Sequence, residues 1–117
     1  KVDTETYFEA VENLFSAGFS GEDIGVYLLC GAPGQTPEEV AESVRIVRQS
    51  GVRPHIAEYS PIPGTPMWDR AAAVSAFDIG AEPLYHNNTF FACRRPDFTY
   101  EDMMAIKAEA KLAVSCF

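Results

Sequence analysis

The stretch I-G-V-Y-L-L-C-G-A-P-G-Q-T-P-E-E, residues 24–39, runs from an apolar segment through a glycine-proline turn into a marked helix start. Ile24 to Cys30 shows no apolar-polar alternation, which is how a strand buried on both faces reads in a parallel sheet. Thr36-Pro37-Glu38-Glu39 then offers an N-cap residue, a proline at the first helical position and a glutamate at the third, the spacing of a capping box. Val40, Val44 and Val47 form one inward stripe, and Gly51 stops the helix. A second strand follows from Pro54 to Tyr59. Strand, helix and strand joined so closely predict a right-handed parallel crossover.

That second strand runs straight into Y-S-P-I-P-G-T-P, residues 59–66. Three prolines and a glycine in eight residues exclude both helix and the middle of a sheet. The strand exit is therefore a stiffened loop. Thr65-Pro66 is positioned to cap a short helix through Trp68 and the Ala71-Ala72-Ala73 run.

The flanks are simpler. Asp3 and Thr4 are cap-type residues, and Tyr7, Phe8, Val11, Leu14 and Phe15 follow at helical spacing, with Gly18 placed to end the helix. Ser75 to Pro96 shows no clear period and reads as a loop with aromatic anchors at Phe77, Tyr85, Phe90 and Phe91. Thr99-x-x-Asp102 caps a last helix whose Met103, Ile106, Ala110, Ala113 and Phe117 share a face. No internal repeat or low-complexity tract interrupts the chain.

Composition narrows the class. The 117 residues fit one domain, residues 1–117, and the 47% apolar and 22% charged shares are those of a globular chain. A formal net charge of -8 argues against a surface that grips phosphate backbones, so nucleic acid is not an expected partner. No apolar run approaches the ~20 residues of a membrane span, and the first residues lack the layout of a signal peptide. A cytoplasmic protein without a membrane partner is the expectation. Cys30, Cys93 and Cys116 are too widely spaced for a zinc knuckle or a redox pair, and read as reduced, mostly buried thiols.

In parallel α/β folds ligands sit at the carboxyl ends of the strands. The first such end, Cys30-Gly31-Ala32-Pro33-Gly34-Gln35-Thr36, is not a phosphate-binding P-loop, because its glycine spacing is too short and no lysine precedes the threonine. A tight turn before a capped helix accounts for it, and Gln35 and Thr36 read as cap residues. The second, at Tyr59 and Ser60, offers backbone groups and flat apolar contact that suit a planar group such as a nucleobase.

Taken together, G-A-P-G-Q-T and Y-S-P-I-P-G-T-P at successive strand ends resemble the back half of the radical S-adenosylmethionine (SAM) enzyme core. Glu82 to Thr89, E-P-L-Y-H-N-N-T, is similar to members of that family as well, including some with a cobalamin-binding domain upstream. The resemblance runs from about Ile24 to Lys111. It implies a partial (βα) barrel: the last two strands and flanking helices of a three-quarter TIM-like barrel. By the same resemblance Leu29 packs on the adenine of SAM, Gly31 completes that strand motif, and the backbone of Tyr59 and Ser60 hydrogen-bonds the adenine. The prolines would then hold the exit ready at little ordering cost.

The departures define the expectation further. The family's C-x-x-x-C-x-x-C motif for a [4Fe-4S] cluster is absent, as are its first four strands. The chain thus resembles a C-terminal portion that contributes the adenine side of a SAM site, with no catalytic residue, metal or bound cofactor of its own. SAM and [4Fe-4S] would belong to the full-length parent, and the N-terminal part of that protein is the expected partner. An open strand edge also predicts a homo-oligomer of the isolated chain. The alternative is a free-standing α/β module that uses the same loops for a nucleotide or for assembly. Glu58 reads as bonded to a neighbouring loop, and His86 as a turn residue, in preference to substrate contacts.

Overall fold

The computed structural model describes residues 3–86 and 90–112. Four α-helices and a two-stranded parallel sheet make a mixed α/β unit in the order α1 (Thr4–Ser16), β1 (Gly25–Cys30), α2 (Pro37–Gln49), β2 (Arg53–Glu58), α3 (Trp68–Val74) and α4 (Tyr100–Ala110). Short 3-10 turns span Gly21–Asp23 and Pro83–His86. The strands pair in register from Gly25 opposite Arg53 to Cys30 opposite Glu58.

The helix limits follow their local chemistry. The Asp3 carboxylate accepts from the Thr6 amide at 2.8 Å to start α1. The other end closes in a Schellman motif: Gly18 sits at φ 102°, with Gly18 N–H donating to Phe15 and Phe19 N–H to Leu14. Thr36 caps α2 through the Glu39 amide at 3.2 Å, and Gly51 at φ 84° follows its last turn. Only that half of the expected capping box forms there. A complete box forms at α4, where Thr99 and Asp102 bond each other's backbone amides at 2.9 and 3.1 Å. Thr65 does not cap α3, whose N-cap position falls on Met67; its hydroxyl donates to the Ile62 carbonyl at 2.7 Å.

The core lies on one side of the sheet. Val40 and Val44 of α2, Met103 and Ile106 of α4, Cys30, Phe91 and Phe98 make the larger cluster, with Leu28 and Ile56 packed against it. Val11 of α1, Ile24, Val47 and Val52 make a second, joined by Tyr7 and Val26. Ala113 and Phe117 of the expected last stripe lie outside the described residues. Along β1 the even-numbered residues thus meet helices.

The odd-numbered residues of β1 before Cys30 are exposed. Tyr27 is 77% exposed and Leu29 49%, and their register partners His55 and Ala57 share that open side. This corrects the expectation of a strand buried on both faces: β1 has the composition of a doubly covered strand but one uncovered face. Tyr27 and His55 stack on each other there as register partners, centroids 5.3 Å apart and planes 29° apart.

Candidate ligand site at the strand exits

The two strand ends lie side by side. The Tyr59 amide donates to the Cys30 carbonyl at 2.8 Å, carrying the ladder one residue past the end of β2. Each exit then turns by the same device. Gln35 N–H returns to the Ala32 carbonyl at 3.2 Å across Pro33-Gly34, and Thr65 N–H to the Ile62 carbonyl at 3.3 Å across Pro63-Gly64. Both glycines have positive φ, 82° and 84°, which a type II turn demands at its third position, with proline favoured at the second. The prolines therefore shape a turn as well as stiffening it.

The first exit is braced from three directions. The Gln35 side-chain oxygen accepts from the amides of Gly31 at 2.8 Å and Ala32 at 3.1 Å. Its amide nitrogen donates to the Leu29 carbonyl at 2.9 Å. Bonding the residue before and the residue after Cys30 is what one residue of a neighbouring parallel strand does, so this side chain stands in for a strand. Arg95 donates to the Gln35 carbonyl and, at 2.9 Å, to the Cys93 carbonyl. Its guanidinium also meets Asp97 at 3.2 Å and lies over the Phe98 ring. Arg70 reaches the Pro33 carbonyl from α3 at 3.5 Å. Gln35 is thus a bridge and not a cap residue. Arg95 and Arg70 carried no motif in the sequence; their role depends on segments that fold back from 60 and 37 residues away.

The four residues picked out for adenine separate into two environments. Leu29 stands on the open face with Ala57 beside it, and Ser60 is half-buried at the adjoining exit. Gly31 is buried at φ 93°, and a Cβ there would lie 2.9 Å from both the Phe91 ring and the Met103 methyl. Packing and backbone conformation explain that glycine without a ligand. Tyr59 is 8% exposed, its N–H is bonded within the ladder, and its buried hydroxyl has no hydrogen-bond partner among the described residues. Burial raises the pKa of that hydroxyl, and the neighbouring Cys93 adds to the effect.

Glu58 turns away from the open face. Its carboxylate meets Lys107 of α4 at 3.0 Å, so it is bonded to a helix where a loop partner was expected. Cys30 beside it is fully buried, and burial pushes the thiol up to about 12, with Glu58 adding to the rise and Lys107 opposing it. Burial likewise raises the Cys93 thiol, against the pull of Arg95. Neither is disposed to bind a metal as thiolate. Among the described residues no three His, Cys, Asp or Glu side chains gather as a metal site. His86 closes the 3-10 turn, whereas Asn87, Asn88 and Thr89 lie outside the described residues. No helix among the described residues is long and apolar enough to cross a membrane.

No family model, curated protein or solved structure matches this chain.

Proposed function

We propose that the chain is the C-terminal part of a radical SAM enzyme and supplies the adenine side of its SAM site, as the last two strands of a partial barrel. The observation that carries this reading is the uncovered apolar face at Leu29 and Ala57, beside the proline-rich exit at Ser60. In a closed barrel the helices cover the outside and the opposite face looks inward, so a strand pair with helices on one side only has the layout of a barrel segment.

On this reading Leu29 supplies the flat apolar contact to the adenine ring. Because the Tyr59 N–H is committed to Cys30, that exit offers the adenine edge its Tyr59 carbonyl, with Ser60 next in the chain. Gly31 acts at one remove, by letting Phe91 and Met103 close over the first turn. SAM, when bound, brings the sulfonium whose bond to the adenosyl carbon is broken in this family's chemistry. The described cysteines do not fit a [4Fe-4S] cluster, so the cluster and the chemistry belong to the preceding part of the parent protein.

The reading frame upstream of Lys1 tests the proposal. A C-x-x-x-C-x-x-C motif, preceded by strand-helix repeats, is the expected result. A frame without such a motif would favour a free-standing nucleotide-binding or assembly module.

A further inference from the structure

The arginines of this chain are spent on visible partners, with one exception. Arg45 pairs with Glu42, Arg48 with Glu109 and Arg95 with Asp97, while Arg70 reaches the Pro33 carbonyl. Arg53 is exposed to water. Arg94 is part-buried, its Nε is buried without a hydrogen-bond partner, and its terminal nitrogens meet no acceptor among the described residues. The chain holds 17 Asp and Glu against 9 Lys and Arg, so carboxylates to pair with it are not scarce. A guanidinium carries five N–H donors, and donors left unmet in a part-buried place cost free energy that an incoming acceptor recovers.

What Arg94 does meet is a set of rings. Its guanidinium carbon lies 4.8 Å from the Phe77 centroid and 5.2 Å from that of Phe90, within cation–π range of both. Those two rings touch edge to face at 4.9 Å, and Tyr85 closes the cluster at 5.4 and 5.1 Å from them. Ser75 ties this platform to the segment that carries Arg94: its hydroxyl accepts from the Phe77 amide at 3.1 Å and donates to the Ala92 carbonyl at 2.6 Å. On the same segment Cys93 packs in the core with Tyr59, and Arg95 bonds the Gln35 carbonyl. Arg94 therefore stands on a stretch of chain braced from both sides. An aromatic face takes up the charge of a guanidinium but leaves its in-plane donors to other groups. With Nε buried, those donors are the two terminal nitrogens, which form an end-on fork.

We propose that Arg94 is a recognition site for a carboxylate-bearing ligand, held end-on by the two terminal nitrogens while Phe77 and Phe90 fix the guanidinium. A carboxylate presents two coplanar oxygens that match such a fork, and the resulting charge-assisted pair is stronger than a neutral one. It also balances a single positive charge. A phosphate monoester brings about −1.5 to −2, and the adjacent Arg95 is already committed to Asp97. The rings and the Ser75 brace hold the arginine before the ligand arrives, so less side-chain freedom is lost on binding. This site uses neither Leu29 nor Ser60, and it stands whether or not the open face takes the adenine of SAM.

Benzoate, a flat carboxylate, and inorganic phosphate are the probes, titrated into the 117-residue chain while the arginine side-chain N–H signals are followed by NMR. The Arg94 signals are those missing from Arg94→Lys, a variant that keeps the charge and loses the fork. Arg94→Gln serves the same comparison should the lysine variant fail to fold. Benzoate is expected to shift the Arg94 signals saturably, and calorimetry should find its binding at least tenfold weaker in either folded variant. Arg53→Gln, at an exposed position, is expected to bind benzoate as wild type does. Phosphate is expected to bind at least tenfold more weakly than benzoate. Absence of a saturable shift with benzoate overturns the proposal, as does unchanged benzoate binding in a folded Arg94→Lys or Arg94→Gln. Phosphate binding as tight as benzoate overturns the assignment to a carboxylate.

Discussion

The side chain of Gln35 completes the ladder around Cys30, donating to the Leu29 carbonyl at 2.9 Å and accepting from the Gly31 amide at 2.8 Å. One amide thereby satisfies three backbone groups on the side of β1 away from β2. Gln35→Leu leaves all three without that partner, and because the site is only part-buried, water recovers some of the loss. The expected destabilisation is about 2 kcal/mol in urea unfolding, with Gln35→Glu costing less because it keeps the acceptor. A loss under ~0.5 kcal/mol in Gln35→Leu would show the bridge to be incidental.

Two glycines with nearly the same φ should respond differently. Gly31 and Gly64 lie at φ 93° and 84°, so alanine meets about 1–2 kcal/mol of backbone strain at either position. At Gly64 the new methyl group points into open space, but at Gly31 it meets Phe91 and Met103 at 2.9 Å. Gly31→Ala should therefore be the worse variant by a further 1–3 kcal/mol from overpacking. Equal unfolding midpoints for the two would contradict the packing described at the first exit.

Much of this fold was legible in the sequence because its signals are local. Asp3, Thr36 and Thr99 each cap the helix that follows, Gly18 and Gly51 each stop one, and the valine stripe of α2 is buried as spaced. What failed depends on distant groups. Composition shows that Tyr27 and Leu29 suit burial, but not that they stand exposed among the described residues. Likewise Gln35 looks like a helix-start residue until the turn brings its amide back onto Leu29, and Arg95 is anonymous until the loop places it against Gln35. Of the candidate site, position was legible but orientation was not. Leu29 is accessible, whereas Gly31 and the Tyr59 N–H are already committed inside the protein.

The buried thiols give the stability a pH dependence. The Cys30 pKa rises from 9.0 to about 12 on folding, and that of Cys93 also rises. A raised folded value means that the stabilisation is complete below about pH 9 and is lost progressively as pH rises towards 12. Stability should fall by about 1 kcal/mol per pH unit over that window for Cys30 alone. Cys30→Ala should flatten the slope, although its cavity lowers the plateau. An unchanged slope in that variant would assign the effect to other groups.

Glu58 and Lys107 test how the sheet is tied to α4. The Glu58 side chain is 10% exposed and that of Lys107 32%, so removing the lysine strands a nearly buried carboxylate. Lys107→Met should cost about 1–2 kcal/mol, and the double variant Glu58→Gln with Lys107→Met should recover part of it. A double variant as unstable as the sum of the singles would show that the pair does not couple.

The central claim is that the open face at Leu29 takes the adenine of SAM, and titration calorimetry of SAM into the full-length protein tests it most directly. Leu29 is half exposed, so Leu29→Asp should leave the unfolding midpoint near wild type. The account predicts that Leu29→Asp weakens SAM binding at least tenfold, about 1.4 kcal/mol, whereas Glu42→Ala on the outer face of α2 leaves it unchanged. Equal SAM affinities for a folded Leu29→Asp variant and wild type would contradict it.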